Sequence, residues 1–322
     1  MNGRLPTRTV ETCLRAAVAA PSVHNTQPWR FRLGERAIEV LIDPGRALDV
    51  IDPQRRAMFI SVGAAVFNLR LALAAEGWTS RLEPPPPGAD AVMRVVLGPR
   101  RTPSGGILLL ASAIVRRRTN RAPYRNVVVP EATMDDLCAA AAADGIRLIA
   151  PGPVRRGAIL AITMAADARQ QADPAYRREL AAWTAATAFR RDGVAVRVFG
   201  PRATTAAVPL RDFGLGLPSI QRDAARFEDH PQLVVLHSRG DDRAAWLGTG
   251  QSLQRVLLTA TVRGLAAQPL TQALEVAEFR RFLADPSGVW SPQMILRIGY
   301  GAAVPIGPRR PLRTFVMTAP GY

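Results

Sequence analysis

The chain of 322 residues contains no lysine, so all 42 of its basic residues are arginine. Cysteine is scarce as well: Cys13 and Cys138 are the only two, which excludes a disulfide framework. No uninterrupted apolar run reaches about 18 residues, the length that a membrane-spanning helix requires. Residues 1–10 lack the apolar core of a secretion signal. We therefore expect a cytoplasmic protein that does not associate with a membrane.

The composition is that of a globular protein with excess positive charge. Hydrophobic residues make up 48% of the chain and charged residues 21%, which permits a sizeable core and excludes a disordered chain. The length suits two domains or one large domain. The net charge of +16 is compatible with a polyanionic partner, but the arginines are spread along the chain and aromatic residues are only 6%. We expect no specific nucleic-acid binding and favour phosphate binding by a few arginines, with an arginine-rich nucleic-acid binder as an alternative.

The hydrophobic periodicity predicts helices mixed with short strands, which indicates an α+β protein. Helices are predicted over Arg8–Ala20, Arg55–Trp78, Ile107–Arg118, Ala132–Ala143, Val154–Ala168, Pro174–Arg190 and Asp242–Leu265. Strands are predicted over Trp29–Leu33, Ala37–Ile42, Val92–Leu97, Leu233–His237 and Met294–Ile298. The helix from Arg55 carries few charges and should be buried. The irregular segment Asp192–Pro231 is either a lid or a surface excursion.

Two of the predicted helices resemble each other in sequence. Residues 63–78 (GAAVFNLRLALAAEGW) and residues 250–265 (GQSLQRVLLTATVRGL) both begin at a glycine and reach a second glycine after the same number of residues, a position typical of a helix C-cap. Residues 10–20 and 134–143 form a weaker pair. This repeat indicates two similar halves, residues 1–100 and residues 101–322, that form a pseudo-dimer in one chain. A chance likeness between two buried helices rich in alanine and leucine is the alternative.

The first candidate site is the turn over residues 21–29, PSVHNTQPW. It follows a predicted helix, leads into a strand, and is confined by two prolines. Its side chains are dense in hydrogen-bond donors and acceptors, which suits the edge of a polar planar heterocycle. A turn with a structural role only is the alternative.

The second candidate site is an arginine cluster over residues 116–121, RRRTNR, at the end of a predicted helix. Several guanidinium groups beside the Thr119 hydroxyl favour a phosphate-binding site. Arginines that cap the helix C-terminus would explain one or two of these residues, but less easily four. Arg309 and Arg310 form another basic pair near the C-terminus, which could bind phosphate as well. The alternative interpretation is that these two residues belong to a solvated tail.

Several motifs of known chemistry are missing. The sequence contains no GxGxxG dinucleotide fingerprint, no GxxxxGK[ST] phosphate loop, no GxSxG elbow and no Cys/His metal spacing. A heterocycle-binding turn and a phosphate site without an evident nucleophile indicate a protein whose cofactor carries the chemistry.

The turn and the arginine cluster together resemble the FMN-dependent nitroreductase family. Residues 21–29 are similar to its P-S-x-x-N-x-Q-P-W motif, and residues 117–121 are similar to its R-x-S-x-R phosphate motif, with Thr119 in place of serine. The two motifs occur in the reverse of the usual order, which resembles the Acg-like subfamily. This resemblance implies an α+β fold with antiparallel-rich sheets, long central helices and one chain that mimics the usual dimer.

The resemblance also implies roles for individual residues. Arg117, Thr119 and Arg121 would hold the phosphate, ribityl and pyrimidine side of FMN, and Arg309 and Arg310 would close on the phosphate. The residues that would line the isoalloxazine from the other half belong to the turn: Pro21, Ser22, Asn25 and Gln27. Glu275 and Val276 resemble the family loop that approaches flavin N5, although Val276 stands where glycine is usual.

The function that the resemblance implies is an NAD(P)H-dependent oxidoreductase. NADPH or NADH would reduce bound FMN, which would pass two electrons to a small-molecule acceptor, a quinone or a nitro compound. No catalytic side chain and no metal are needed. Because each half lacks the motif that the other has, we expect one FMN per chain and a protein that need not dimerise. The alternative is an FMN storage or sequestering protein with little turnover, in which residues 192–231 cover the site.

Overall fold

The structure of the protein is a computed structural model that describes residues 5–185, 190–205, 208–215, 217, 220–285 and 287–317. Nine helices are found in this part of the chain: α1 Thr7–Val18, α2 Arg56–Ala75, α3 Gly105–Ser112, α4 Glu131–Ala142, α5 Pro153–Ala172, α6 Pro174–Ala182, α7 Arg243–Val262, α8 Gln272–Glu275 and α9 Ala277–Phe282. The strands are β1 Trp29–Leu33, β2 Ala37–Ile42, β3 Trp78–Glu83, β4 Ala91–Arg100, β5 Arg147–Ile149, β6 Thr184–Ala185, β7 Val194–Ala195, β8 Arg202–Ala203, β9 Ala224–Ala225, β10 Gln232–Arg239, β11 Ala266–Pro269, β12 Trp290–Gly299 and β13 Val316–Met317.

The strands form two main sheets, and the predicted antiparallel-rich α+β fold is confirmed. One sheet has the order β13-β1-β2-β4-β3 and the other has the order β11-β12-β10-β5. All neighbours are antiparallel except β13, which pairs in parallel with β1. The C-terminal strand of the chain therefore completes the sheet of the N-terminal half.

The same sequence of elements occurs twice along the chain. Elements α1, β1, β2, α2, β3 and β4 correspond in order to α4, β5, β10, α7, β11 and β12. The corresponding strands also have the same neighbours, because β1-β2-β4-β3 matches β5-β10-β12-β11. The main addition to the second set is residues 150–231, between β5 and β10, which contain α5, α6 and the short strand pairs β6–β7 and β8–β9.

Helices α2 and α7, which contain the two similar sequences, cross each other in the core. A Cβ atom at Gly63 would lie 2.2 Å from the carbonyl oxygen of Leu247, and one at Gly250 would lie 2.1 Å from that of Ile60. Only glycine permits backbones to approach so closely. By length and composition α2 could cross a membrane, but 83% of its apolar window is buried inside the protein. The prediction that this helix is buried is confirmed.

Several predicted boundaries differ from the structure. The helix predicted to end at Arg190 ends at Ala182, because Trp183 and Thr184 turn into β6; residues 186–189 lie outside the described residues. Helix α3 ends at Ser112 rather than Arg118, so the arginine cluster lies in an irregular segment. The sequence does not predict β3, β5, β6, β7, β8, β9, β11 or β13, because short or partly polar strands lack a clear alternation.

The segment 192–231 packs against the rest of the molecule. Its side chains Val194, Phe199 and Phe213 share a small apolar core with Leu48 of the N-terminal half and Leu180 of α6. Residues 206–207, 216 and 218–219 of the candidate lid lie outside the described residues. The described residues of the segment 192–231 therefore bury apolar side chains against the rest of the protein.

Candidate functional site

The turn after α1 has an unusual backbone. His24, Asn25 and Gln27 have φ values of 43°, 55° and 52°, in the left-handed region that residues other than glycine adopt at a cost. A hydrogen bond within the turn helps to hold it in place: the backbone N–H of Gln27 donates to Ser22 Oγ over 3.0 Å. Strained backbone of this kind is frequent at functional sites.

Asn25 and Gln27 connect the turn to two distant segments. Asn25 Nδ2 donates to backbone carbonyls of residues 193 and 308, both over 3.0 Å. Gln27 Nε2 donates to the carbonyl of residue 191, and its Oε1 accepts from the amide of residue 310, again over 3.0 Å. The polar groups of these two side chains are thus bonded to the protein, so both act as supports for the site.

A first cavity of about 190 Å³ lies between the turn, the arginine cluster and the C-terminal segment. It is lined by Ala19, Pro21, Ser22, Asn25, Ile114, Val115, Arg117, Arg118, Thr119, Arg121, Gly193, Val194, Val198, Pro305, Ile306, Gly307, Pro308 and Arg309. Four of these lining residues are arginines, and none carries a carboxylate. The cavity is therefore suited to an anion.

Arg117 is the buried cation of the first cavity. Its side chain is buried, its Nε–H has no hydrogen-bond partner within the described residues, and its only bond is a long one of 3.5 Å from Nη2 to the Ala19 carbonyl. Burial, together with the positive charges of Arg309 and Arg118, lowers the pKa of Arg117 to about 9. A buried cation that lacks a counter-ion and has an unused donor is what a bound phosphate would compensate.

Arg309 lines the first cavity but is already bonded to the protein. Its Nε donates to the Val18 carbonyl over 2.9 Å and its Nη2 to the Ala20 carbonyl over 3.0 Å, so it caps the C-terminus of α1. Its Nη1 donates to Asn25 Oδ1 over 2.8 Å. Arg310 does not line this cavity. Its guanidinium carbon lies 4.9 Å from the ring centre of Phe315. Of the predicted basic pair, the structure places only Arg309 at the site.

Thr119 and Arg121 line the first cavity and are held by segments distant in the chain. Thr119 forms a β-bridge with Ala267, next to β12 of the C-terminal sheet. Arg121 Nη1 donates to the Val198 carbonyl over 2.9 Å, and its guanidinium lies 4.9 Å from the ring centre of Phe213. Burial and the charge of Arg211 lower the pKa of Arg121 to about 10.

A second cavity of about 110 Å³ adjoins the first and shares Pro21, Ser22, Thr119 and Arg121 with it. Its other lining residues are Val23, His24, Ala57, Ile60, Ser61, Arg211, Phe213, Leu253, Leu257, Gln268, Pro269, Thr271, Gln272 and Met294. These come from both central helices, from the turn after α1, from the segment 192–231, from β11 and β12, and from the start of α8. The shared residues place the two cavities side by side.

Glu275 and Val276 lie behind the second cavity and line neither cavity. They border a separate hollow beside Tyr176. Burial opposes the ionisation of Glu275, but the adjacent Arg211 guanidinium lowers the pKa of its carboxyl. The second cavity is instead lined by Gln268 and Pro269 at the end of β11 and by Thr271 and Gln272 at the start of α8. The sequence offered no clear signal for these residues, because β11 is a short strand that periodicity does not indicate.

His24 is a site residue that the motif analysis left out. Its side chain is 8% exposed and lines the second cavity, and neither ring nitrogen has a hydrogen-bond partner among the residues that the structure describes. Its ring meets that of Phe213 edge-on, with centroids 5.4 Å apart. Burial, together with nearby Arg211 and Arg121, lowers the pKa of His24 to about 3. The imidazole is therefore neutral in the folded protein at ordinary pH.

Comparison with known proteins identifies the family. The model of the nitroreductase family matches residues 114–300, which include the arginine cluster and most of the C-terminal half. The chain belongs to the nitroreductase family. The turn over residues 21–29 lies outside the matched range.

Two relatives from Mycobacterium tuberculosis strain H37Rv resemble the chain over most of its length. "Putative NAD(P)H nitroreductase Rv3131" is 35% identical, and the match covers 98% of this chain and 93% of the relative. "Putative NAD(P)H nitroreductase acg" is 28% identical, with 95% of this chain and 94% of the relative covered. These two matches, unlike the family model, extend over the N-terminal half.

Solved nitroreductase structures are more distant. An FMN-bound nitroreductase from Bacteroides fragilis is 13% identical, with a TM-score of 0.38, and the match covers 63% of this chain and 93% of that one. The nitroreductase NfnB of Mycobacterium smegmatis, in complex with NADPH, is 18% identical with the same TM-score of 0.38, covering 64% of this chain and 96% of that one. At these TM-scores the likeness defines no residue equivalences.

Proposed function

We propose that the protein binds FMN and catalyses the NAD(P)H-dependent two-electron reduction of small nitro compounds or quinones. The observation that carries this proposal is the buried Arg117, which lines the first cavity and has neither a partner for its Nε–H nor a counter-ion among the described residues. The second, partly apolar cavity adjoins the first and shares four lining residues with it. A ligand with a phosphate at one end and a planar ring at the other suits this pair of cavities. The names of the two mycobacterial relatives support a nicotinamide donor.

The residues present fit the cofactor. Arg117 would bind the phosphate directly, with Arg309 holding the turn and adding positive charge. Thr119, Pro21 and Ser22 would line the passage between the two cavities. When bound, FMN would supply the two-electron transfer between donor and acceptor. Arg121, buried at the boundary of the cavities, would stabilise negative charge that develops on the ring.

An FMN titration of purified protein tests cofactor binding. We expect flavin fluorescence to be quenched on binding, and the Arg117→Met variant to bind FMN about 10- to 100-fold more weakly, since it loses a charge-assisted hydrogen bond. Arg116→Met is the matched control, because Arg116 is the exposed preceding residue and does not line either cavity. Failure of the wild-type protein to bind FMN, or equal binding by both variants, would contradict the proposal.

Anaerobic reduction tests the activity. We expect NADPH or NADH to bleach the bound flavin promptly, and a nitroaromatic or a quinone to restore its colour. Flavin that stays oxidised with both donors, yet is bleached by dithionite, would favour the storage function instead. That second function has a specific observation in its favour: Val194, Val198 and Phe213 of the segment 192–231 line the cavities, and in a storage protein this segment would keep a nicotinamide ring away from the flavin.

We also propose that the two halves arose by duplication and that one chain binds one FMN without needing a partner. The repeated element order and strand order support this, and so does a site built from Pro21 and Ser22 of one half with Thr119 and Arg121 of the other. The division at about residue 100 remains part of the proposal. Light scattering with a flavin titration checks it: a monomer with one flavin is expected, and two flavins per chain would contradict it.

A further inference from the structure

His24 is one of the residues that line the second cavity. Both ring nitrogens are buried and unbonded within the described ranges. A buried polar group without a hydrogen bond is costly, and His24 also occupies a left-handed backbone conformation with a φ of 43°. The fold therefore maintains two unfavourable features at one residue that faces a cavity.

Several other polar side chains around this cavity have hydrogen bonds to the protein. Ser61 Oγ donates to the Ala57 carbonyl over 2.7 Å and accepts from the Val23 backbone N–H over 3.1 Å. Gln268 Oε1 accepts from Arg297 over 2.6 Å, and Gln272 Nε2 donates to the Pro209 carbonyl over 3.1 Å. Ser61 is thus bonded twice and each glutamine at least once, whereas neither ring nitrogen of His24 has a partner within the described residues.

The surroundings of His24 define what kind of ligand suits it. Burial, with Arg211 and Arg121 nearby and only Glu275 acting in the opposite direction, keeps the imidazole neutral, so it offers one donor and one acceptor. The edge-on contact with Phe213 at an interplanar angle of 80° fixes the plane of the ring. Ile60 and Met294 give the cavity an apolar wall. A planar ring that carries both donors and acceptors along its edge matches these features.

We propose that His24 hydrogen-bonds the edge of the flavin ring system in the second cavity and determines the specificity of the site for a heteroaromatic ring. This inference rests on the proposed FMN-binding function, to which it adds a residue outside the phosphate site. Arg117 would recognise the phosphate end of the ligand, and His24 the ring end. The two contributions can be separated by comparing a complete ligand with one that lacks the ring.

The test is a comparison of two ligands on three proteins. We expect His24→Phe, which keeps a planar ring but has no nitrogen, to bind FMN about tenfold more weakly, to shift the visible absorption bands of bound FMN, and to bind ribitol 5-phosphate as the wild type does. Arg117→Met should weaken the binding of both ligands. If the wild type binds no FMN, the proposed function itself fails. If the wild type binds FMN and His24→Phe gives the same affinity and the same spectrum, only the role of His24 is overturned.

A measurement on the wild-type protein makes the test independent of the folding of the variant. The chain has three histidines, so the imidazole ¹⁵N resonances are few, and His230→Gln and His237→Gln variants assign two of them. We expect the His24 resonances to shift on addition of FMN and to stay in place on addition of ribitol 5-phosphate. His24 resonances that do not respond to FMN would overturn the proposal.

Discussion

The Arg211 guanidinium lies 2.6 Å from the Glu275 carboxylate (Nη2–Oε2), and the two side chains are only 6% and 3% exposed. Arg211 also donates from Nη1 to the Tyr176 hydroxyl over 2.7 Å, while Gln170 Nε2 donates to Glu275 over 2.7 Å. Burial opposes the charge on Arg211, but Glu275 raises the pKa of the guanidinium above its ordinary value. This ion pair fastens the described part of the segment 192–231 to α8, behind the second cavity.

Breaking this buried pair should cost far more than breaking an exposed one. Glu275→Gln leaves the Arg211 charge buried without its counter-ion, and we expect the free energy of unfolding to fall by about 3–5 kcal/mol. Urea unfolding of the variant measures this.

Glu278→Gln is the matched control for this prediction. Glu278 lies three residues further on, in α9, and pairs with Arg169 over 3.5 Å, but the two side chains are 57% and 59% exposed. We expect a change within about 1 kcal/mol. If the free energy of unfolding falls equally in the two variants, burial of the Arg211–Glu275 pair does not increase the cost of breaking it.

The crossing of α2 and α7 should tolerate no side chain at its two glycines. Gly63→Ala and Gly250→Ala each place a Cβ atom about 2 Å from a backbone oxygen of the other helix, and we expect each to lower the free energy of unfolding by about 1–3 kcal/mol. Gly157→Ala in α5 is the control, because open space surrounds that position; it should stabilise the protein by up to about 1 kcal/mol. Thermal unfolding distinguishes the two signs.

Arg117→Met should stabilise the ligand-free protein while it weakens ligand binding. The substitution removes a buried cation with an unbonded Nε–H and keeps a side chain of similar length. In buffer without phosphate we expect the melting temperature of the variant to exceed that of the wild type. The same concentration of FMN should raise the melting temperature of the wild type more than that of the variant, through ligand linkage. A variant that melts lower without ligand would contradict this interpretation of Arg117.

His24 should make the wild type sensitive to acid. Its pKa is about 3 in the folded protein against an ordinary 6.5, so between these values the unfolded chain binds a proton that the folded protein does not. Folded stability relative to His24→Phe should therefore decrease as the pH falls from about 6.5 toward 3, by about 1.4 kcal/mol per pH unit.

Urea unfolding of the wild type and of His24→Phe at several pH values between 4 and 7.5 checks this sign, with the exposed His230→Gln as the control substitution. Taking the difference between the two proteins removes the effect of other titrating groups, such as Asp52, whose buried carboxyl has a pKa raised to about 6. A pH-independent difference would contradict a buried neutral imidazole.

Much of the fold was readable from local sequence. The nearly uncharged stretch from Arg56 predicted a buried helix, and its likeness to the stretch from Gly250 indicated the two helices that cross in the core. The candidate site was predicted from two motifs, residues 21–29 and 117–121, by their residue types and spacing. The structure brings Pro21, Ser22, Thr119 and Arg121 of these motifs around the same pair of cavities.

The sequence by itself determined which residues are polar, basic or small at each position, and hence the helices, the strained turn and the arginine cluster. Only the tertiary structure decided which charges are neutralised. Arg309 is bonded to the end of α1, Glu275 is paired with Arg211, and Arg117 and His24 keep unused hydrogen-bonding atoms. The physical reason is that each outcome depends on whether a segment distant in the chain brings a hydrogen-bonding or charged partner to the side chain. Periodicity and motif spacing describe only residues that are near one another in the chain.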